Sequence, residues 1–149
     1  MKEKISLISL RTVRDSDGEF LFELLKERDP RANISHKKMP SYDEHIKFIK
    51  SKPYTRWYII LKSKERVGSI YLSKNDEIGI FLSKEYQKKN IGNTTLVELI
   101  RKNPRKRYLA NVNPKNKKSS IFFKNNNFKL IQYTFELSDS WYLEISNTF

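Results

Sequence analysis

The sequence predicts an α+β fold with a central mixed, mostly antiparallel sheet of about seven strands flanked by four helices. Short runs rich in β-branched and aromatic residues, separated by polar turns, predict the strands. Amphipathic runs that begin at capping signals and stop near prolines predict the helices. No repeat or linker divides the 149 residues, so we expect one domain over residues 1–149 with the order β-α-α-β-β-β-α-β-α-β-β.

The first strand and two helices are predicted before residue 54. Residues 5–14 are rich enough in apolar and β-branched side chains to form a strand. Ser16 and Glu19 then have the spacing of a capping box, which predicts a helix ending before Pro30. Ser41 and Glu44 repeat that spacing, which predicts a second helix ending before residue 53.

The periodicity changes to that of strands after residue 56. Three short runs separated by polar turns predict an antiparallel meander at residues 57–61, 67–72 and 77–82. In the helix that follows, Leu96, Val97 and Ile100 form the predicted apolar stripe. The rest of the chain predicts, in order, a helix, a strand, a helix and two strands, at residues 92–102, 107–112, 116–126, 128–137 and 141–145.

The formal net charge of +13 is the strongest signal in the composition. It favours anionic ligands, and it raises the alternative of a basic nucleic-acid-binding domain. The basic residues are spread along the whole chain, however, so nucleic acid is the less favoured partner. The absence of cysteine excludes thiol nucleophiles, cysteine-based zinc sites and disulfides. The N-terminal residues lack a secretory pattern and no run has membrane-spanning length, so we expect a cytoplasmic protein.

The connection from the strand at 77–82 to the helix at 92–102 is the most informative segment. A tight turn into a helix start directs several unpaired backbone N–H groups at one point, where the helix dipole favours negative charge. Gly92 allows close backbone approach, and Lys88 and Lys89 add positive charge. Taken alone the segment also fits an ordinary strand-to-helix connection.

Residues 82–92 resemble motif A of the GNAT superfamily of N-acyltransferases, in which Gln or Arg is followed by two residues, Gly, one residue, and Gly or Ala. Gln87 and Gly92 match that pattern. Asn90 occupies the place of the first glycine, and asparagine is the non-glycine residue that best tolerates left-handed dihedrals.

Residues 116–128 resemble motif B of the same superfamily. Asn116 and Phe128 have the expected spacing, and Asn127 replaces the usual glycine. Phe123 stands where many members carry a tyrosine that protonates the departing thiolate. Since a phenyl ring donates no proton, the resemblance leaves water, another tyrosine, Ser119 or no protein acid for that step.

The resemblance implies an N-acetyltransferase that uses acetyl-CoA, or another acyl-CoA, without a metal. It also implies a bulge in the fourth strand that splays it from the fifth, so that the thioester lies in the gap between them. The residues expected to bind the coenzyme are Phe81, Leu82, Gln87, Lys88, Lys89, Asn90, Ile91, Gly92, Asn93, Asn116, Ser119 and Phe123.

Glu77 is the candidate general base, because some members of the superfamily place a carboxylate acting through water at the start of this strand. The alternative for Glu77 is a turn-capping role beside Asp76. Candidate acceptor-binding residues are His36, Trp57 and Tyr71, although a loop histidine is usually solvated and strand aromatics are usually core. His45 is expected on a helix surface.

The acceptor is expected to be a small-molecule primary amine, bound by a monomer or homodimer. Residues 41–72 loosely resemble bacterial enzymes that acetylate nucleotide-linked amino sugars, and a basic pocket would suit a sugar nucleotide. The alternatives are a protein or peptide amine acetyltransferase, a relative that binds acyl-CoA without transfer, and a nucleic-acid-binding domain.

Overall fold

The computed structural model describes residues 7–28, 39–87 and 90–148. Within these ranges the chain forms four strands and five α-helices. They are β1 (Ile8–Thr12), α1 (Gly18–Lys26), α2 (Tyr42–Lys50), β2 (Arg56–Lys62), β3 (Glu65–Leu72), β4 (Ile78–Leu82), α3 (Ile91–Lys102), α4 (Lys117–Asn125) and α5 (Asp139–Thr148). No helix of these ranges is both long and apolar enough to cross a bilayer.

The four strands form one sheet in the order β1-β2-β3-β4, and every neighbouring pair is antiparallel. This confirms the predicted meander. Tyr71 of β3 lies opposite Gly79 of β4, so these two residues share a face of the sheet.

Each face of the sheet packs against helices, because successive strand residues point to opposite sides. On one face, Ile60 and Ile70 pack with Leu96 and Leu99 of α3. On the other face, Ile59 packs with apolar residues of α1 and α2. The predicted stripe on α3 is partly wrong: Leu99 is fully buried, whereas Val97 is 60% exposed.

A buried carboxylate joins β1 to α1. Asp17 is 1% exposed and accepts hydrogen bonds from both terminal nitrogens of Arg11 at 2.9 and 2.8 Å. It also accepts from the Arg14 backbone N–H at 2.7 Å and from Arg66 at 3.3 Å. Desolvation opposes ionisation of Asp17, but these donors outweigh it and hold the pKa of the carboxyl below its usual range.

The two predicted capping boxes have different outcomes. The box of Ser41 and Glu44 is confirmed, with reciprocal hydrogen bonds of 2.9 and 3.2 Å at the start of α2. The box of Ser16 and Glu19 is wrong, since a 3-10 turn over Asp15–Asp17 precedes α1. In this turn the Asp17 side chain accepts a hydrogen bond from the Arg14 backbone N–H.

The predicted number of strands is wrong, because four are present instead of seven in the described ranges. At residues 107–112 only an isolated parallel bridge forms, between Glu77 and Leu109. Residues 128–137 are irregular: their alternating pattern is typical of a strand, but alternation alone supplies no hydrogen-bonding neighbour. Residues 141–145, predicted as a strand, lie instead in α5, which begins at Asp139.

Candidate active site

A cleft of about 880 Å³ opens along the outer edge of β4. At its vertex Ile78 donates its backbone N–H to Leu109 at 2.7 Å, and Leu109 donates to Asp76 at 2.9 Å. Beyond this point, from residue 79 to 82, the outer edge of β4 forms no backbone ladder with the rest of the described chain. The result is a V-shaped gap at the expected place, but the pairing of β3 with β4 is regular and shows no bulge, and the segment across the gap is not a strand.

The loop at one end of the gap turns into α3 through Asn90. This residue has φ 61° and ψ 13°, the left-handed conformation that its place in the glycine pattern predicts. Gln87 donates its side-chain amide to the Leu82 carbonyl at 3.0 Å, which closes the loop onto β4. The first-turn amides of α3, including those of Gly92 and Asn93, have no acceptor within the helix and lie at the cleft.

Gly92 lets two helices pack closely and does not supply an unusual backbone conformation. The structure gives no described glycine a positive φ, so Gly92 is in ordinary helical conformation. A Cβ on Gly92 would lie 2.8 Å from Cε1 of Phe122, so its small size lets α4 approach α3. Asn126 adds a hydrogen bond to Asn93 at 2.9 Å between the two helices.

The start of α4 forms the opposite wall. The side chain of Asn116 accepts a hydrogen bond from the Ser119 amide at 3.2 Å and caps the helix. Ser119 and Lys118 line the cleft. Phe123 also reaches the cleft but is only 8% exposed, with ring centroids of Phe122 and Phe128 both 5.1 Å away.

Glu77 lies at the vertex of the gap. One carboxylate oxygen accepts a hydrogen bond from the Ser73 hydroxyl at 3.2 Å, and the other accepts from the side-chain amide of Asn111. Ser73 also accepts from the Glu77 backbone N–H at 3.0 Å, so Glu77 does take part in the turn before β4. Its carboxylate is nevertheless held in a defined orientation facing the cleft.

Two stacked tyrosines form the middle of one wall. The rings of Tyr54 and Tyr71 are 3.9 Å apart at their centroids and 8° from parallel. Tyr71 lies flat across Gly79, where a Cβ would overlap its ring. Burial is the main reason that the pKa of Tyr71 is raised, and burial likewise raises the pKa of Tyr54, so both phenols stay protonated at neutral pH.

Arg28 and Phe81 close the far end of this wall. The guanidinium carbon of Arg28 lies 4.6 Å from the centroid of the Phe81 ring, within the range of a cation–π interaction. Phe81 shares its face of β4 with Gly79, and Glu77, just before β4, follows the same alternation in steps of two residues. This wall of the cleft therefore runs from a carboxylate, over two tyrosines, to a guanidinium.

Several predicted residues lie elsewhere. Trp57 does not line the cleft; it packs edge-on behind Tyr54, with ring centroids 5.0 Å apart. Ile91 is buried in the core under α3. His36, Lys88 and Lys89 lie outside the described residues.

His45 is a further correction. The histidine is 6% exposed instead of lying on a helix surface, because this side of α2 packs against Phe22 of α1 at a ring distance of 5.5 Å. Burial lowers its pKa. Within the described ranges no three acidic or histidine side chains are grouped in a way that could hold a metal ion.

Sequence reasoning missed the residues that reach the cleft from distant parts of the chain. They are Leu24, Glu27, Arg28, Tyr54, Ser73, Lys84, Asn111, Asn113 and Lys118. A signal did exist for Arg28, which shares a predicted helical face with Leu21 and Leu24. A charged residue that continues an apolar stripe is a candidate for a partly buried functional cation.

No protein-family model matches the chain, and no curated protein matches it. Solved structures do. An acetyltransferase from Salmonella typhimurium that modifies the N-terminal serine of a 50S ribosomal subunit protein superposes with a TM-score of 0.70 at 20% identity, covering 85% of this chain and 83% of that chain. A ribosomal-protein α-N-acetyltransferase in complex with coenzyme A gives 0.68 at 18% identity, covering 85% and 82%.

A spermidine N-acetyltransferase from Vibrio cholerae is also similar, with a TM-score of 0.67 at 17% identity over 85% of this chain and 82% of that chain. Identities this low support a conclusion about architecture alone. The chain therefore has the fold of these acetyltransferases.

Proposed function

We propose that the protein is an N-acetyltransferase that transfers the acetyl group of acetyl-CoA to a primary amine. The observation that carries this proposal is the V-shaped gap beside β4, with the N-terminus of α3 at one end and Glu77 at its vertex. The acetyltransferase names of the similar structures, one of which holds coenzyme A, support it.

The coenzyme would bind along the α3 side of the gap. Its diphosphate suits the first-turn amides of α3, since the helix dipole and unpaired N–H groups both favour an anion there. Lys84 and Lys118 line the same region and add positive charge. The outer edge of β4 near Leu82 offers backbone groups to the amides of the pantetheine arm, in the manner of an added strand.

Amine acetylation needs an uncharged amine, donors for the developing oxyanion, and a base for the released proton. The amine nitrogen attacks the thioester carbon, a C–N bond forms, the C–S bond breaks, and coenzyme A leaves as the thiol or thiolate. Glu77 would accept the ammonium proton through water. Phe123 can donate none, so the hydroxyl groups available on the described cleft wall are those of Tyr54, Tyr71, Ser73 and Ser119.

A nucleotide-linked amino sugar is the finer proposal for the acceptor, and a protein N-terminus is the rival. The similar structures are named for protein and polyamine acceptors, so their fold leaves the acceptor open. The nucleic-acid alternative predicts an exposed, aromatic and basic sheet face. Both faces of the described sheet instead pack against helices.

Thermal-shift measurements test the coenzyme part of the proposal. Acetyl-CoA should raise Tm in a concentration-dependent way, as any ligand of the folded state does, whereas an oligonucleotide should not. Release of coenzyme A should then be followed with a panel of amines. Lack of stabilisation by acetyl-CoA would refute the proposal, and stabilisation without turnover of any amine would leave a non-catalytic acyl-CoA binder.

A further inference from the structure

We propose that Arg28 forms an anion-binding subsite on the cleft wall that carries Tyr71 and Phe81. The preferred amine acceptor would then carry a carboxylate or phosphate. The proposal rests on the proposed function, because it names the class of amine that the same cleft would accept. It also separates this chain from enzymes built for polycations, whose acceptors would meet a like charge at this position.

The position of Arg28 is fixed by the fold. It lies just beyond α1, where its backbone N–H donates to Leu25 at 3.2 Å, and its side chain crosses onto Phe81 of β4. Stacking on an aromatic ring holds a guanidinium in one plane, and its planar fork of donors matches the geometry of a carboxylate or phosphate. A guanidinium carries five N–H donors and no acceptor, so the groups that it binds are hydrogen-bond acceptors.

The charges along the wall are arranged for an amine that bears an anion. Glu77 and Phe81 are four residues apart on one strand face, which corresponds to about 13 Å. An acceptor bound along this wall would direct its nitrogen toward Glu77 and its oxyanion toward Arg28. Tyr71, between the two ends, offers an apolar surface for the connecting part of the molecule.

Glu27 is the other charge at this end and also lines the cleft. It is exposed, so solvent and salt screen its effect, whereas Arg28 is partly buried against Phe81. Desolvation is the main reason that the pKa of Arg28 is lowered, and the guanidinium nevertheless stays charged. An oxyanion at this place gains more than it would at the surface.

The test uses two matched pairs of amines with the full chain and saturating acetyl-CoA. The pairs are glucosamine 6-phosphate with glucosamine, and lysine with cadaverine, which distinguish phosphate from carboxylate. We expect the anionic member of at least one pair to have a kcat/KM at least tenfold higher. Arg28→Gln should abolish that preference mainly through KM, Arg28→Lys should keep part of it, and Arg56→Gln, at an exposed arginine outside the cleft, should keep all of it.

Direct binding separates this proposal from the proposed function. The same amines are titrated into protein saturated with coenzyme A, using wild type and Arg28→Gln. If no amine is acetylated but glucosamine 6-phosphate or lysine binds through Arg28, the subsite stands and the transferase proposal fails. Equal kcat/KM within both pairs, no binding of either anionic amine, or a preference that persists in Arg28→Gln would overturn the subsite.

Discussion

The two halves of the cleft are built in different ways. The half at α3 and α4 uses main-chain features: helix N-termini, the left-handed Asn90 and a close approach at Gly92. The half at α1 and α2 uses side chains that come from separate parts of the chain, with Arg28, Tyr71 and Glu77 as its main polar groups. Main-chain sites depend on local sequence, whereas side-chain sites depend on how distant segments pack.

This difference predicts that substitutions in the two halves separate coenzyme binding from acceptor turnover. Glu77→Gln should give the largest effect on turnover, because the variant keeps the shape of the side chain but removes the proton acceptor. Loss of a general base lowers rates by about 10² to 10⁴-fold. Turnover of the best amine should fall by that factor, while the affinity for acetyl-CoA stays unchanged.

Glu19→Gln is the matched control for Glu77→Gln, since Glu19 is an exposed glutamate of α1. It should retain wild-type turnover. Unchanged turnover in Glu77→Gln would eliminate Glu77 as the base, and a loss of coenzyme affinity would mean that the two halves are not separable.

Asp17→Asn should weaken the buried ionic network that holds the start of α1 against the sheet, and with it the position of Arg28. Removing one partner of a buried ionic network costs about 3 kcal/mol when its arginines keep some solvent access. The Tm should fall by roughly 10 °C. Asp15→Asn, at an exposed position of the same turn, is the control and should change Tm little.

The same carboxylate gives a pH dependence. The pKa of Asp17 is lower in the folded than in the unfolded state, so its contribution is fully present above the unfolded pKa of about 3.9. The contribution is lost as the pH falls through the folded pKa. The stability difference between wild type and Asp17→Asn should therefore shrink in acid; a constant difference down to about pH 2 would contradict this role.

Two glycine-to-alanine substitutions compare a clash with a cleft side chain, at Gly79, with a clash with sheet backbone, at Gly68. Gly79→Ala would push the Tyr71 ring, a side chain that can move, and should lower acceptor kcat/KM roughly tenfold with a small loss of stability. Gly68→Ala meets the backbone carbonyl of Phe81 and should cost about 1 to 3 kcal/mol of stability. Urea unfolding and acceptor kinetics of both variants would measure this, and equal stability losses would argue against a mobile Tyr71.

The smallest effect is expected at Asn90. Alanine tolerates the left-handed conformation poorly, at a cost of about 1 kcal/mol, whereas glycine adopts it freely. If this conformational cost is paid when acetyl-CoA binds to the loop before α3, Asn90→Ala should weaken acetyl-CoA binding about fivefold, and Asn90→Gly should not. Calorimetric titration of acetyl-CoA would measure both, and weaker binding in the glycine variant would assign the effect to the lost side chain.

The same contrast explains what the sequence could predict. The start of α2 at Ser41 and the left-handed Asn90 follow from short-range chemistry, and both predictions agree with the structure. Burial is less predictable, since it depends on which helix packs where. His45 and Leu99 are buried and Val97 is exposed because of contacts that no local pattern specifies.

The cleft wall that carries Tyr54 and Tyr71 shows most clearly what the sequence alone could not predict. Tyr54 precedes β2, whereas Asn111 follows the bridge at Leu109, and only the fold brings both to the cleft beside Glu77. The C-terminal strands fail for a related reason. Residues 128–137 have strong strand propensity, yet a strand also needs a neighbouring backbone, which propensity does not provide.

A crystal structure with coenzyme A bound would show whether the gap beside β4 is the coenzyme site. We expect diphosphate oxygens within hydrogen-bonding distance of the Gly92 and Asn93 backbone nitrogens, and a pantetheine arm along the outer edge of β4 with its sulfur directed toward Glu77. A coenzyme bound on another surface, with the gap beside β4 left open, would contradict it.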